Sequence, residues 1–500
     1  MQPEPQKRTA TRIATSLSSH RRDDKQVVAL LLTLAVALVS GIKGRAANSN
    51  AAELVEMDLE SLVNVQFNSA ASLTQTDARR TPVTLTQLDA RDVEQSGAKD
   101  LNRLLEMQVP NLQFINHHGH ATHLGIRGII SDREDKYLYQ VNGRTMNNRM
   151  LTGADNERGI PLLGDIHRIN VVRGSASATH GAGAIAGLIN VEAYTGLTFQ
   201  GADVKVRQGV VDEFTAVEAR LGRKLSDDSG LFLYYGIADQ PGADSDYYFG
   251  RSFPATNGLP ANVAGEPADF SMPNYGAAGF DELRHKLHFS YVNGPWEFWS
   301  RFVRDGYVNR QQREIYTSAR PGTISLDTWT RGRQFVNNQF TTALDFKQDL
   351  SDAWRLEMRG SYDFWRFTDQ RDGRSTSPIR HAREDIAQAR TVVIWSPVEA
   401  QSLALGAEYE YGWFYDPAQS DALDRAPVIA QRSWETDTLS FMAEEQLKLG
   451  SKWTLFLSAR GDKHTYSDRL WQRSPRGPHI SPNYPSCTTS TSSGQQVRRA

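Results

Sequence analysis

Apolar and polar side chains alternate along several stretches of the second half of the chain. In the clearest stretch, residues 402–413, every second residue is apolar and the residues between are polar or small. Successive side chains of a strand point to opposite faces, so this period of two predicts strands. The same pattern predicts strands at residues 340–347, 354–364 and 453–462, and more weakly at 203–207 and 217–221.

These alternating stretches are long and have aromatic residues at their edges. Segments of about ten residues with one apolar and one polar face are typical of a transmembrane β-barrel that has lipid outside and water inside. The mean hydropathy of −0.51 is compatible with this, since a barrel satisfies its backbone hydrogen bonds without apolar helices. A soluble β-sandwich gives the same periodicity, so the pattern alone leaves both folds open.

Residues 69–194 have a different pattern, rich in small residues, that predicts a compact mixed α/β unit. Short strands are expected at 82–88 and 170–172. A helix is expected to begin near Ser96, because leucines follow it at helical spacing, and Pro110 should end it.

The first residues resemble an export signal. Several Lys and Arg residues precede the apolar run from Val27 to Val39, which is shorter than the roughly 20 residues that a membrane helix needs. Gly44 and Ala46 supply small side chains, so we expect a signal peptide over residues 1–46 with cleavage after Ala46. The long basic region indicates that the true start lies downstream of Met1. A buried core helix is the alternative reading of the apolar run.

Composition removes several classes of function. The net charge of −2 and the pI of about 6.7 give no basic face for nucleic acid. A single cysteine, Cys487, excludes an intramolecular disulfide and a cysteine-based metal cluster. No nucleophile–base grouping stands out, so neither an enzyme nor a cofactor is expected. The GAGAIAG segment is no dinucleotide fingerprint, because an extended stretch follows it where a helix should begin.

Residues 62–194 resemble the plug domain of TonB-dependent receptors. The likeness rests on motifs that stand in the family's order. They are TPVTLTQLDARDVEQSGAKDLNRLLEMQVPNLQF (81–114), LGIRG (124–128), YLYQVNGR (137–144), GDIHRINVVRG (164–174) and HGAGAIAGLINV (180–191). Each motif is weak alone, but their succession between an export signal and a barrel pattern is specific.

The resemblance implies a small α+β plug domain at 67–195 and a β-barrel of the 22-stranded type. It also implies a linker at 47–66, a partial barrel at 196–471 and an irregular tail at 472–500. Only about eleven strands are expected after Thr195, and the Pro- and Ser-rich tail lacks alternation. We therefore expect an incomplete chain, from a frameshift or premature stop. The alternative is a small barrel with a disordered tail, although an 8-stranded barrel is filled by side chains.

The family also implies a TonB box, an extended peptide that pairs with the periplasmic TonB protein by strand addition. A plain linker is the alternative for this stretch. The best candidate segment consists of Glu60, Ser61, Leu62, Val63, Asn64, Val65 and Gln66.

Two arginines that precede glycines, Arg127 and Arg173, are predicted to reach carboxylates on the barrel wall, with a solvated strand end as the alternative for each. Glycines of the motifs are expected to allow tight turns and close packing. They are Gly128, Gly143, Gly174, Gly181, Gly183 and Gly187.

Four histidines lie close together between the helix and the LGIRG motif. Imidazole binds transition metals and haem iron, so this loop is a candidate ligand-binding site for a complex with open coordination positions, such as haem. A solvated loop is the alternative. The histidines are His117, His118, His120 and His123.

The resemblance implies energised uptake across the outer membrane of a Gram-negative bacterium rather than catalysis. Ferric siderophores, haem, cobalamin or similar metal complexes are the ligands that it implies, and TonB and outer-membrane lipid are the partners. The extracellular loops that would select one ligand cannot be read from the sequence. Alternatives from other classes are a passive porin or adhesin with an N-terminal soluble domain, and a secreted periplasmic protein.

Overall fold

The computed structural model describes most of the chain between residues 66 and 480. The described ranges are 66–67, 72–74, 76–77, 83–116, 122–131, 134–150, 153–154, 157–210, 214–240, 282–309, 333–371, 380–416, 433–450 and 453–480. Within these ranges, no helix has the length and apolar character to cross a membrane.

Residues 66–194 form a small α+β unit, called the N-terminal domain below. Its five-stranded sheet has the order β3-β8-β9-β6-β7, with β6 and β9 parallel, and β1-β2 and β4-β5 are separate hairpins. The elements are β1 (Gln66–Phe67), β2 (Thr76–Asp77), β3 (Thr84–Asp89), α1 (Ala90–Gln95), α2 (Leu101–Gln108), β4 (Leu112–Asn116), β5 (Thr122–Ile126), β6 (Tyr137–Val141), β7 (Arg144–Thr145), β8 (Ile166–Arg173), α3 (Ser177–His180) and β9 (Gly187–Ala193).

The helix predicted near Ser96 is confirmed but begins later. Ser96 caps the C-terminus of α1, and Gly97 has a φ of +66° that turns the chain. Asp100 then starts α2, where its side chain accepts a hydrogen bond of 2.9 Å from the Arg103 backbone N–H. Leu104 and Leu105 are fully buried in the domain core, as their helical spacing predicts.

Residues 201–480 form one antiparallel sheet, called the large sheet below. It has twelve strands in simple sequence order. They are β10 (Gly201–Gln208), β11 (Thr215–Lys224), β12 (Ser229–Asp239), β13 (Arg284–Asn293), β14 (Trp296–Asn309), β15 (Arg333–Ser351), β16 (Trp354–Arg371), β17 (Arg380–Val398), β18 (Gln401–Tyr415), β19 (Ser433–Leu449), β20 (Trp453–His464) and β21 (Ser467–Ile480).

The two faces of the large sheet confirm the alternating pattern. Large apolar side chains such as Leu405, Tyr409 and Phe441 project outward and are 46–60% exposed. Ala404 and Met442, which are the chain neighbours of Leu405 and Phe441, face inward and are buried. A soluble sandwich would cover its apolar face with a second sheet, whereas here that face is open, as a barrel in lipid requires.

The connections differ in length at the two ends of the large sheet. At one end the turns are short, with residues 294–295 between β13 and β14 and residues 399–400 between β17 and β18. At the other end the chain runs through 240–283 and 416–432 before it returns. This asymmetry is typical of outer-membrane barrels, which have short periplasmic turns and long extracellular loops.

The last strand differs from the sequence-based expectation. Residues 472–480, predicted to be irregular, continue β21 and pair with β20, with register shifts near Phe456 and His464. Pro475 and Pro478 cannot donate to a ladder, but among the described residues β21 is an outer strand of the sheet, and such strands tolerate proline. The prediction of an irregular segment is therefore wrong for residues 472–480, because the Pro-rich composition does not show the strand.

The open apolar face gives a first prediction. Phe441 lies at the middle of β19 and is 60% exposed, so Phe441→Arg should cost about 2–4 kcal/mol of membrane stability. Leu449→Arg, on the same face at the end of β19, should cost no more than about 1 kcal/mol. Urea titration of the protein in bilayers measures both. Equal costs would mean that this face does not cross a membrane.

Candidate functional site: the interface between the N-terminal domain and the large sheet

Buried polar contacts join the N-terminal domain to the inner face of the large sheet. They reach strands from β10 to β19, so the sheet curves around the domain. Breakable contacts of this kind determine whether the domain stays seated, and this interface is the candidate functional site.

The most enclosed part joins two acids of the domain to two cations of β13 and β14. Glu157 accepts two hydrogen bonds of 2.8 Å from the Arg301 guanidinium, through Nε and Nη2. Asp165 lies 2.6 Å from Arg301 Nη1 and 2.8 Å from Lys286 Nζ. The Tyr139 hydroxyl donates to Glu157 at 2.5 Å. All five side chains are almost completely buried.

The two acids remain charged in this buried position. Burial raises the pKa of the Asp165 carboxyl, but Arg301 and Lys286 outweigh burial and hold the pKa below its usual range. The pKa of Glu157 is also lowered, because the same two cations again exceed the effect of burial. A group with a lowered pKa contributes stability that is lost as the pH falls through that pKa. Both acids therefore stabilise the seated domain at neutral pH.

A second group of contacts has the opposite polarity. Arg144 lies 2.5 Å from Asp363 of β16, and Arg149 Nη2 donates to both carboxylate oxygens of Glu410 at 2.9 and 3.0 Å. Glu384 of β17 accepts a hydrogen bond of 2.7 Å from the Arg149 backbone N–H. Here the domain supplies the cations and the large sheet supplies the acids.

A third contact lies where the domain meets the first strands of the large sheet. Glu218 of β11 accepts hydrogen bonds from the Gly164 N–H at 2.5 Å and the Tyr234 hydroxyl at 2.8 Å. Arg207 of β10 pairs with Glu218 at 3.2 Å and donates to the Pro161 carbonyl at 2.6 Å. In this region the large sheet contacts the backbone of the domain.

A fourth contact holds the loop between β1 and β2 and is called the latch. Glu444 of β19 accepts hydrogen bonds from the Thr74 N–H at 3.1 Å, the Thr74 hydroxyl at 3.0 Å and the Ser72 hydroxyl. Its other oxygen lies 3.4 Å from the Thr179 hydroxyl of α3. Leu73 packs into an apolar socket lined by Val392, Ile394, Ala404 and Met442.

The latch gives a second prediction. Glu444→Ala removes the acceptor of the Thr74 N–H, and a hydrogen bond to a charged group is worth about 1.5–3 kcal/mol. Amide hydrogen exchange around Thr74 should therefore become roughly ten- to a hundredfold faster. Glu445→Ala is the control, since Glu445 projects from the other face of β19 and accepts instead from Gln401. Equal exchange in the two variants would show that Glu444 does not hold the loop.

Arg127 and Arg173 contact residues of the N-terminal domain in the structure, and their predicted contact with carboxylates of the large sheet stays a prediction. Arg127 donates to the Thr84 hydroxyl at 2.8 Å, while Arg173 donates to the Pro110 carbonyl at 3.0 Å and the Thr86 hydroxyl at 3.1 Å. Arg173 lies on β8, directly beside β3, which carries both threonines. Among the described residues, Arg144 and Arg149 pair with carboxylates of the large sheet.

The predicted glycines lie at turns and close approaches. Gly128 and Gly174 have φ values of +78° and +133°, which favour glycine. At three more positions an added Cβ would crowd a neighbour: it would lie 3.2 Å from the Arg359 guanidinium at Gly143, 3.0 Å from the Arg460 guanidinium at Gly181, and 2.9 Å from the Leu138 side chain at Gly183. At Gly187 a Cβ would come within 2.5 Å of the Val172 carbonyl oxygen.

The remaining predicted residues are only partly described. Gln66 begins β1, whereas residues 60–65 of the candidate TonB box lie outside the described ranges. His123 lies on β5 and is buried, while His117, His118 and His120 also lie outside those ranges. A shared ligand for the four histidines stays a prediction. No group of metal-binding side chains is found within the described ranges.

Sequence reasoning missed the residues that form most of the interface. Arg144 and Asp165 both lie in the motifs quoted above, at the end of YLYQVNGR and the start of GDIHRINVVRG. Their place in those motifs was the available signal. Glu157 and Glu444 carried no signal, since their partners lie 144 and 370 residues away along the chain.

Comparison with known proteins identifies the N-terminal domain. Residues 77–188 match the family model of the TonB-dependent receptor plug domain. The chain carries a TonB-dependent receptor plug domain. From here on the N-terminal domain is therefore called the plug, and the large sheet is called the barrel wall. No curated protein matches the chain by sequence.

Solved structures of siderophore receptors share the fold of this chain over part of their own length. A ferric enterobactin receptor mutant from Pseudomonas aeruginosa aligns with a TM-score of 0.56 at 16% identity, over 78% of this chain and 58% of its own. The siderophore receptor PirA from Acinetobacter baumannii gives 0.54 at 14% identity, over 78% and 58%. The ferric-catecholate import receptor Fiu from E. coli K12 gives 0.53 at 13% identity, over 84% and 64%.

These likenesses establish the fold, which is that of a plugged β-barrel receptor. The identities are too low to carry over a ligand. The chain spans about three fifths of the length of the ferric enterobactin receptor that it matches.

Proposed function

We propose that this chain acts in TonB-dependent, energised uptake of a scarce ligand across the outer membrane of a Gram-negative bacterium. The observation that carries the proposal is a plug held on the inner face of a barrel-type sheet by buried, breakable ion pairs. A signal peptide at 1–46 and a linker with a TonB box at 47–66 belong to the same proposal. The reading as a transport receptor rather than an enzyme agrees with the family and the fold.

The interface explains why such uptake needs energy. Removing one partner from a buried ion pair costs about 3–5 kcal/mol, and the plug makes several such pairs with the wall. Thermal motion alone will rarely open them all together. A mechanical pull on the segment before the plug can break them in succession, starting from the latch at Ser72 and Thr74.

Ligand binding at the long-loop end of the barrel has to change the structure of the plug on the periplasmic side. Glu444 connects two parts of the plug, because one of its carboxylate oxygens contacts Thr74 in the β1–β2 loop and the other contacts Thr179 of α3. A shift of α3 changes what Glu444 can hold, and this biases the release of the β1–β2 loop. The TonB box lies just before that loop in the sequence, so the TonB protein is the proposed partner.

A metal complex is the proposed class of ligand. The solved structures with this fold include receptors for ferric enterobactin and a ferric-catecholate import receptor, which favour a ferric siderophore. The predicted histidine loop favours haem, and cobalamin is a further possibility. Growth of a deletion strain on a panel of iron and cobalamin sources separates these ligands.

Uptake with and without a proton uncoupler tests the proposal. Cells that produce the protein should lose accumulation of the ligand when the proton gradient collapses, while binding at the cell surface persists. A passive porin or adhesin would not respond to the uncoupler. Fractionation gives an independent check, because a soluble periplasmic protein leaves with the osmotic-shock fluid and an outer-membrane receptor does not.

A further inference from the structure

Two cations of the barrel wall are neutralised entirely by the plug. Lys286 of β13 and Arg301 of β14 face the lumen and are 2% and 1% exposed. Their ion pairs among the described residues all go to Glu157 and Asp165 of the plug. Arg301 is fully occupied, since Nε and Nη2 bind Glu157 and Nη1 binds Asp165.

Other buried cations of the wall have acids of the wall as partners. Arg284 pairs with Asp305 at 2.7 Å, and Arg359 pairs with Asp345 at 2.6 Å. Arg460 pairs with Asp462 at 2.7 Å and with a second wall acid, Glu408, at 2.9 Å. These cations remain compensated when the plug moves, whereas Lys286 and Arg301 do not.

Lys286 and Arg301 form a compact group with a neighbouring histidine. His288 lies directly opposite Arg301 in the strand register, with Nδ1 3.2 Å from Arg301 Nη1. Its Nε2 is buried and has no hydrogen-bond partner among the described residues. An ammonium, a planar guanidinium and an imidazole thus lie on one patch of adjacent strands. This donor set matches oxyanions such as carboxylate, sulfate or phosphate.

We infer that Lys286, Arg301 and His288 form an anion site which the plug carboxylates Glu157 and Asp165 fill while the plug is seated. When the plug moves aside, the site is left for the anionic groups of the ligand in transit. This inference rests on the proposed function and specifies its ligand as one that carries oxyanions. Buried cations without a counter-ion are costly, so the vacated site has a strong preference for an anion.

Strands β16 and β18, further along the barrel wall, have the reverse polarity. Asp363 and Glu410 of the wall are paired with Arg144 and Arg149 of the plug. Displacement of the plug leaves acids there, so an anionic ligand is directed towards β13 and β14. This side also supplies a matched control.

Sulfate binding to the purified, detergent-solubilised protein tests the inference. The variant Glu157→Ala with Asp165→Ala removes both carboxylates and leaves room for an anion beside Lys286 and Arg301. Calorimetric titration with sodium sulfate, at constant ionic strength set with sodium chloride, should show one saturable site. Binding should be at least about tenfold tighter than in the unaltered protein, roughly the value of one charge-assisted hydrogen bond. Adding Arg301→Gln should abolish it.

The control variant is Arg144→Gln with Arg149→Gln, which breaks as many plug–wall ion pairs on the acidic side. It should bind no sulfate beyond the unaltered protein. If the Arg144/Arg149 variant binds sulfate as tightly as the Glu157/Asp165 variant, or if neither variant binds it, the inference is wrong. Should the double variant fail to fold, Asp165→Ala alone frees Lys286 Nζ and Arg301 Nη1 and is titrated in the same way.

The sulfate titration does not depend on transport. Energised uptake together with no sulfate binding in the variant overturns the anion site alone. Sulfate binding together with no energised uptake overturns the proposed function and leaves the site as an anion-binding site of the folded protein.

Discussion

Arg158→Met is expected to unfold the plug under conditions in which the unaltered protein stays folded. Arg158 and Glu134 form an ion pair in the plug interior and are 0% and 1% exposed. Methionine fills much of the space but leaves the Glu134 carboxylate without its cation. Loss of one partner from a buried pair costs about 3–5 kcal/mol, a large fraction of the 5–15 kcal/mol that stabilises a typical domain.

The position of the pair makes the effect larger than one contact suggests. Arg158 Nη1 donates to Asn102 of α2 at 3.1 Å, and Nε donates to the Ala154 carbonyl at 2.9 Å. Glu134 accepts from the Leu124 N–H and the Tyr137 hydroxyl, both at 2.8 Å. The pair therefore ties α2 and the Ala154 backbone to strands β5 and β6.

Thermal unfolding followed by circular dichroism, together with limited proteolysis of the plug, measures the effect. We expect the plug transition to fall by on the order of 10 °C or more. Arg103→Met is the control, because Arg103 forms an exposed pair with Glu106 that is worth less than about 1 kcal/mol. Arg158→Met with Glu134→Gln should recover part of the loss. A plug transition that matches the Arg103→Met control would show that the buried pair does not hold the plug together.

Local patterns predicted the fold well because they report local geometry. The side-chain alternation of residues 402–413 became β18, and the leucine spacing after Ser96 became α2. The extended stretch after GAGAIAG became β9, as expected. Each of these features depends on neighbours a few residues away. Boundaries were less accurate, since the cap at Asp100 and the turn at Gly97 determine where α2 begins.

The interface could not be predicted in the same way. Arg127 and Arg173 were chosen because they precede glycines, and in the structure both donate to threonines of β3. Arg144 pairs with Asp363 only because the sheet brings β16 to β7. A single sequence does not show which residue a given charged residue pairs with. Selecting the pairs requires the register of every intervening strand.

The candidate TonB box and the latch are connected by the chain itself. A pull applied to residues 60–66 passes first through the β1–β2 hairpin, in which Gln66 pairs with Asp77. It then reaches the loop whose Ser72 and Thr74 bind Glu444 and whose Leu73 lies in its socket. Force on the box is therefore applied directly to contacts between plug and wall. The effectiveness of that force depends on how firmly TonB holds the box.

We propose that TonB binds the box by strand addition, which uses backbone N–H groups of the box. Leu62→Pro and Val65→Pro each remove one donor and fix φ near −65°, so each should abolish energised uptake. Ligand binding at the cell surface should be unchanged, because both residues precede the plug. Leu62→Ala and Val65→Ala are the matched controls, since they shorten the side chains but keep every N–H, and they should retain most of the uptake. Uptake that survives both proline variants would place the TonB box elsewhere. Uptake lost equally in the alanine variants would mean that TonB recognises the side chains rather than an added strand.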